Sequence, residues 1–225
     1  MEIHRDQTYA VITGDIIGSS KLDPANRQEL HQVMLTACSR LREVFARAVP
    51  LEVDIFRGDS WQLLVTEPEK SLRIGLLYRL DIKIRFASKV DSRLAIGLGR
   101  ILFLPGDRVS QGEGPAFRLS GQALDNLPAY SALGLGMDSS GQQQGCSELL
   151  QGSLFLLDAI LRSWSPKQAL AVYGALQDWT QERITSLWQP KISQQTVAEY
   201  LQKAGWGNVK HFLRVFEANV PFSGP

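Results

Sequence analysis

Hydrophobic positions change period several times along the chain, and each change marks an element. Tyr9 to Thr13 is a short apolar run that reads as a buried strand ending in Gly14-Asp15. From Asn26 to Ala48, Leu30, Val33, Met34, Ala37, Leu41, Val44 and Phe45 fall at helical spacing, so an amphipathic helix is expected, stopped by Pro50. Leu51 to Phe56 alternates apolar and acidic positions, as a strand with one wet face does. Trp61 to Val65 is a second apolar run, and Arg57-Gly58-Asp59-Ser60 between them predicts a hairpin. Pro68 opens a helix carried by Leu72, Leu76, Leu80 and Ile84. Arg93 to Leu104 reads as a long strand whose Gly97 and Gly99 signal a bulge or a close backbone approach. A helix over Pro115 to Leu127 and a short strand over Ser131 to Met137 complete a β-α-β-β-α-β-α-β series.

Beyond Asp138 to Gly145, which reads as a linker, the pattern is helical throughout. Leu149 to Trp164 is one expected helix. Ser165-Pro166-Lys167-Gln168 carries a capping-box start for the next, with a break near Trp179 and a stop at Pro190. The expectation is therefore an α+β chain of two domains, residues 1–140 and 146–225. Composition supports a core-forming protein, with 44% hydrophobic and 21% charged residues. A formal charge of +1 argues against a polybasic coat and against an acidic tail. Two cysteines and three histidines with no CxxC or HxxxH argue against a disulfide scaffold or a structural zinc. The N-terminus lacks a signal-peptide core and no run is long enough to span a bilayer, so a soluble cytoplasmic protein without a membrane partner is expected.

Two stretches carry candidate chemistry. Gly14-Asp15-Ile16-Ile17-Gly18-Ser19-Ser20 follows a strand and precedes a helix, a context in which backbone N–H groups form a nest for phosphate. Gly58-Asp59 lies in the hairpin, and carboxylates on neighbouring strands can share Mg²⁺ with a nucleotide's phosphates. The alternative is two ordinary turns in which each Asp is a hydrogen-bonding turn residue.

Taken in order, Thr13-Gly14-Asp15-Ile16-Ile17-Gly18-Ser19-Ser20, Arg57-Gly58-Asp59-Ser60, the run from Arg93 to Gly99, and Gly114-Pro115-Ala116-Phe117 resemble the bacterial SatD family. Over about residues 8 to 137 they also resemble a class III nucleotidyl cyclase domain. That resemblance implies a ferredoxin-like sheet-and-helix domain, a homodimer, and a substrate site between protomers. It implies Asp15, Asp59 and the backbone at Ile16 as metal positions, with Mg²⁺ the expected ion. Gly14, Ile17, Gly18, Ser19 and Ser20 would lie along phosphates, with Arg57 and Arg118 as further phosphate-gripping groups. Two family positions depart. Ile55 stands where a purine-selecting Lys is expected, and Gln122 where a transition-state Arg is expected. Losing a donor aimed at developing phosphoryl charge costs several kcal/mol of barrier, so binding of a nucleotide or phosphorylated ligand is expected over turnover.

The last region has its own pattern. Ile192 to Leu201, a Gly-containing turn over Gln202 to Gly207, and Asn208 to Arg214 resemble a helix-turn-helix with Val197, Leu201, Val209 and Leu213 inward. Asn208, Lys210, His211 and Arg214 would then face outward toward duplex DNA. The expected protein is thus a transcriptional regulator with a ligand-binding, cyclase-like domain. A divergent phosphoryl-transfer enzyme and a protein-interaction scaffold are the alternatives.

Overall fold

The computed structural model describes residues 3–56, 58–86, 89–137 and 142–220. Five strands form one sheet: β1 (Tyr9–Ile17), β2 (Asp54–Phe56), β3 (Ser60–Val65), β4 (Asp91–Gly99) and β5 (Leu133–Met137). The sheet order is β2-β3-β1-β4-β5. The first four strands are antiparallel throughout, and β5 joins β4 in parallel. With α1 (Pro24–Val44) between β1 and β2, and α2 (Ser71–Arg85) between β3 and β4, this is the split β-α-β order of a ferredoxin-like sheet. The parallel β5 requires a crossover, which α3 (Pro115–Asp125) supplies.

The alternation along β1 sorts the two faces. Ala10, Ile12 and Ile16 enter the large core with Met34, Leu41, Leu72 and Leu76 of α1 and α2. Tyr9 and Val11 enter a smaller core with Ile101, Val109 and Ala116 beneath α3. The expected close approach at Gly97 is here: a Cβ would stand 2.1 Å from the carbonyl oxygen of Ala116 and 2.3 Å from the amide nitrogen of Ser120.

Five further helices follow: α4 (Gln142–Ser163), α5 (Pro166–Leu176), α6 (Gln181–Thr185), α7 (Gln194–Lys203) and α8 (Trp206–Asn219). Leu150, Leu154, Leu157, Val172, Leu176, Leu213 and Phe216 share the large core with the sheet and α2. This explains why α2 is buried on nearly every side from Ser71 to Lys83. It is packed between the sheet and the later helices. Gln151 of α4 reaches the outer edge of β5, where Oε1 accepts from the Leu135 amide at 2.6 Å and Nε2 donates to the Leu133 carbonyl at 3.4 Å.

Several boundaries differ from the sequence pattern. β1 does not end at Gly14-Asp15; pairing with β4 continues to Ile17 opposite Asp91, and the chain turns at Gly18, whose φ is 89°. Only Asp54–Phe56 of the expected second strand pairs, although Leu51 and Val53 are buried. β4 stops at Gly99 because its partner β1 begins opposite, at Tyr9. The expected linker is helical from Gln142, consistent with glutamine's good helix propensity, and its residues 138–141 lie outside the described ones. The capping box at Ser165 and Gln168 forms as the pattern requires. The α7–α8 turn is shorter than the six residues expected. It comprises Ala204 and Gly205, the latter at φ 67°, a left-handed conformation that glycine adopts without steric cost.

Candidate functional site

At one end of the sheet, β1 finishes while β3, β4 and β5 begin. The antiparallel register sets Asp15 opposite both Ser60 and Arg93 on the face that carries α3. The Gly18 turn and the short helical turn Ser19–Lys21 cross above this end before Asp23 caps α1. The result is an open cleft of about 740 Å³. Asp15 to Ser20, Asp59 and Ser60 line one side; Asp91, Arg93, the segment around Pro128 to Ser131, and Arg162 line the other.

Residues more than forty positions apart in the sequence thus line one cleft, each with specific partners. Arg93 donates to both carboxylate oxygens of Asp15, from Nε to Oδ1 at 2.9 Å and from Nη2 to Oδ2. This hydrogen bonding and charge raise the guanidinium's already high pKa, against the opposing effect of burial. Ser19 Oγ donates to Asp59 Oδ2 at 2.6 Å, and no described residue forms an ion pair with Asp59. Below the cleft, Ser92 Oγ donates to the Asp15 carbonyl at 2.8 Å and accepts from the indole N–H of the buried Trp61 at 3.1 Å.

The other expected residues divide. Ile16, Ile17, Gly18, Ser19 and Ser20 line the cleft. Gly14 does not: it faces the opposite side of the sheet, where a Cβ would lie 2.4 Å from the Trp61 ring. Its lack of a side chain makes room for that ring. Arg118 is exposed on α3, outside the cleft, donating to Gln122 Oε1 at 3.2 Å. Ile55 pairs with Trp61 on the hairpin and packs against the large core. Arg57 lies outside the described residues. Asn208, Lys210, His211 and Arg214 are exposed on α8, while Val197, Leu201, Val209 and Leu213 are buried, as the helical pattern requires.

The sequence reading missed a charged cluster behind the cleft. Arg79 is 1% exposed and forks onto Asp91, with Nε to Oδ1 at 2.7 Å and Nη2 to Oδ2 at 3.0 Å. Its Nη1 donates to Oδ1 of the fully buried Asp158 at 2.6 Å. Asp158 also accepts from the Ala132 amide at 2.8 Å and pairs with Arg162 Nε at 2.7 Å. Lys83 Nζ reaches Asp91 at 3.1 Å. Burial alone would raise the Asp91 carboxyl; Arg79, Lys83 and the Ser92 amide outweigh it and hold that group below its ordinary pKa. One signal was available: Arg79, Asp81 and Lys83 alternate with Leu80, Ile82 and Ile84 in a helix apolar from Ile74 to Tyr78, and buried charges need partners.

Among the described residues, no three His, Cys, Asp or Glu side chains cluster as a cation site. Three carboxylates line the cleft: Asp91, held by Arg79 and Lys83, and Asp15 and Asp59, beside the backbone at Ile16. Mg²⁺ typically takes one or two carboxylates together with the phosphates of a ligand. This donor set fits an ion that arrives with phosphate, with Asp59 the less encumbered carboxylate because Arg93 holds Asp15.

No protein-family model matches the chain, and no curated protein matches it. Among solved structures it is similar to a bacterial light-regulated adenylyl cyclase, with 15% identity, 57% of this chain covered and a TM-score of 0.42. It is also similar to the guanylyl cyclase Cya2, with 15% identity over 56% of this chain and 72% of that one, and a TM-score of 0.38. The chain spans 43% of the length of the light-regulated cyclase.

Proposed function

We propose that this chain is a SatD-like regulator whose cyclase-like region binds a nucleotide or another phosphorylated ligand in the cleft at the end of β1, without turning it over. The observation that carries this reading is convergence. Asp15 and the Gly18–Ser20 turn, one continuous segment, and Asp59 from the hairpin line one cleft. Backbone and hydroxyl groups of the turn would contact phosphate. Asp59, with Asp15 and the Ile16 backbone, would hold a Mg²⁺ ion, which supplies charge neutralisation between phosphates and carboxylates. Against turnover stands the chemistry of Gln122, an uncharged side chain at the position where the resemblance expects a transition-state Arg. Because Arg118 lies away from its own chain's cleft, a role for it at a ligand requires a second protomer, and a homodimer is part of this reading.

A thermal-shift panel of ATP, GTP and inorganic tripolyphosphate, with and without Mg²⁺, tests it. A ligand at a hundred times its dissociation constant adds about 2.7 kcal/mol to stability. The expected result is a Mg²⁺-dependent shift that is lost in Asp59→Asn, with no pyrophosphate released. If none of these probes raises the melting temperature, the ligand reading fails; steady pyrophosphate release abolished in Asp15→Ala replaces it with the enzyme reading.

DNA contact by α8 is a second part of the proposal, supported by how that helix sorts its charges. Glu217 would dilute a basic face, but it accepts from Arg73 Nε at 3.0 Å, turned toward the body of the protein. Asn208, Lys210, His211 and Arg214 remain outward. Few phosphate contacts per protomer imply weak binding that a dimer would double. In mobility-shift assays on genomic fragments, Lys210→Ala should flatten the salt dependence by about one unit. Absence of any shift at low salt removes DNA from the account.

A further inference from the structure

We propose that Arg162, on the last turn of α4, directly contacts the anionic group of the ligand, so that the cleft is completed by the helical region as well as by the sheet. This rests on the cleft being a phosphate site, and three features of the buried cluster lead to it.

The first is balance of charge. Arg79, Lys83 and Arg162 are joined to only two carboxylates, Asp91 and Asp158. The cluster thus carries one cation more than it has carboxylates, and that cation is available to an anion from outside it. The second is where that excess surfaces. Arg79 is 1% exposed and Lys83 11%, whereas Arg162 is 39% exposed and lines the cleft. The third is the state of its donors. Its Nε edge is fixed on Asp158, and no described residue accepts a hydrogen bond from its terminal nitrogens. A guanidinium anchored on one edge, with donors remaining on the other, is pre-organised for a phosphate oxygen. The other described arginine that lines the cleft is already engaged, since Arg93 is forked onto Asp15. Of the two, Arg162 is the one with donors left for a ligand.

The arrangement links occupancy to the rest of the molecule. Arg162 holds Asp158, Asp158 holds Arg79, and Arg79 holds Asp91, which itself lines the cleft. An anion on Arg162 therefore bears on the contact between α4, α2 and the start of β4.

The test uses the full chain and titration calorimetry with the best of ATP, GTP and inorganic tripolyphosphate from the thermal-shift panel. Arg162→Gln should weaken binding by about tenfold or more, the scale of one charge-assisted hydrogen bond. Arg162→Lys, which keeps the charge and loses the fork, should fall between that variant and wild type. A purely structural role would lower the melting temperature of the unliganded protein and leave the affinity of the folded fraction unchanged. If Asp59→Asn loses Mg²⁺-dependent binding while Arg162→Gln keeps wild-type affinity, the Arg162 proposal is overturned and the cleft reading stands. If no probe binds wild type, both are overturned. Should Arg162→Gln fail to fold, Arg162→Lys decides, and wild-type affinity in that variant counts against the proposal.

Discussion

At the scale of single residues, this protein separates side chains chosen for packing from those placed for chemistry, and Cys38 belongs to the first group. It is 1% exposed, and its sulfur accepts from the Val53 amide at 3.1 Å. Burial pushes its thiol up to about 11, against the smaller lowering effect of that amide. The thiolate is the reactive form, so its population at pH 8 is on the order of a thousandth. Cys146, which is only partly buried, should take up iodoacetamide first, and Cys38 should react only in denaturant; peptide mapping after timed alkylation checks this. Rapid labelling of Cys38 in the folded protein would mean that the region between α1 and Val53 opens readily. The same scale shows what the sequence made legible in the site. Asp15, Asp59 and the Gly18 turn stand out by their order along the chain, although Asp and Gly at strand ends serve equally in ordinary turns. Arg93, Asp91 and Arg162 do not. An arginine in a strand and an i,i+4 Asp158–Arg162 pair on a helix look the same whether they face solvent or a cleft.

At the scale of elements, the sheet's topology followed from period and punctuation, and the errors fell at the ends. The strand through Asp15 was read as too short because Gly14 looks like a turn residue. In the structure it makes room for Trp61, a long-range cause that no local pattern contains. Gly97 and Gly99 within a strand signal either a bulge or a close approach, and at Gly97 it is α3 that approaches. Here the nearby atoms are backbone, so they cannot swing aside. Gly97→Ala should push α3 away from β4, costing about 1–3 kcal/mol as overpacking does. For a chain of this size that is a fall of roughly 2–4 °C in melting temperature per kcal/mol. A thermal melt indistinguishable from wild type would show that α3 shifts without penalty. The α7–α8 pair was legible in its inward positions and misjudged in its turn, because Gly205 alone reverses the chain where two glycines seemed to share the task.

At the scale of the whole molecule, charge rather than apolar contact alone ties the later helices to the sheet. Arg79 joins α2, β4 and α4 through Asp91 and Asp158, and replacing it leaves Asp91 with Lys83 alone and the fully buried Asp158 with Arg162 alone. Arg79→Gln should cost about 3–5 kcal/mol at neutral pH, the usual penalty for breaking a buried pair from one side. The pH dependence follows from Asp91. Its folded pKa is lowered, so its contribution is present above the unfolded value of about 3.9 and disappears as pH falls through the folded one. The difference in melting temperature between wild type and Arg79→Gln should therefore hold from pH 7 to the unfolded value and narrow as pH falls further, through the lowered folded value of Asp91. A gap that stays constant there would assign the loss to packing. No described helix is long and apolar enough to cross a membrane. The side chain of Gln151 has a last consequence. By occupying an amide and a carbonyl of β5, it takes away hydrogen-bonding groups that a foreign strand would need to add itself to the sheet. The opposite edge, β2, is only three residues long and gives little purchase. Among the described residues the sheet thus offers a second copy no long free border. Gln151→Ala would expose that border, and light scattering that rises with protein concentration in this variant alone would reveal chains joining edge to edge.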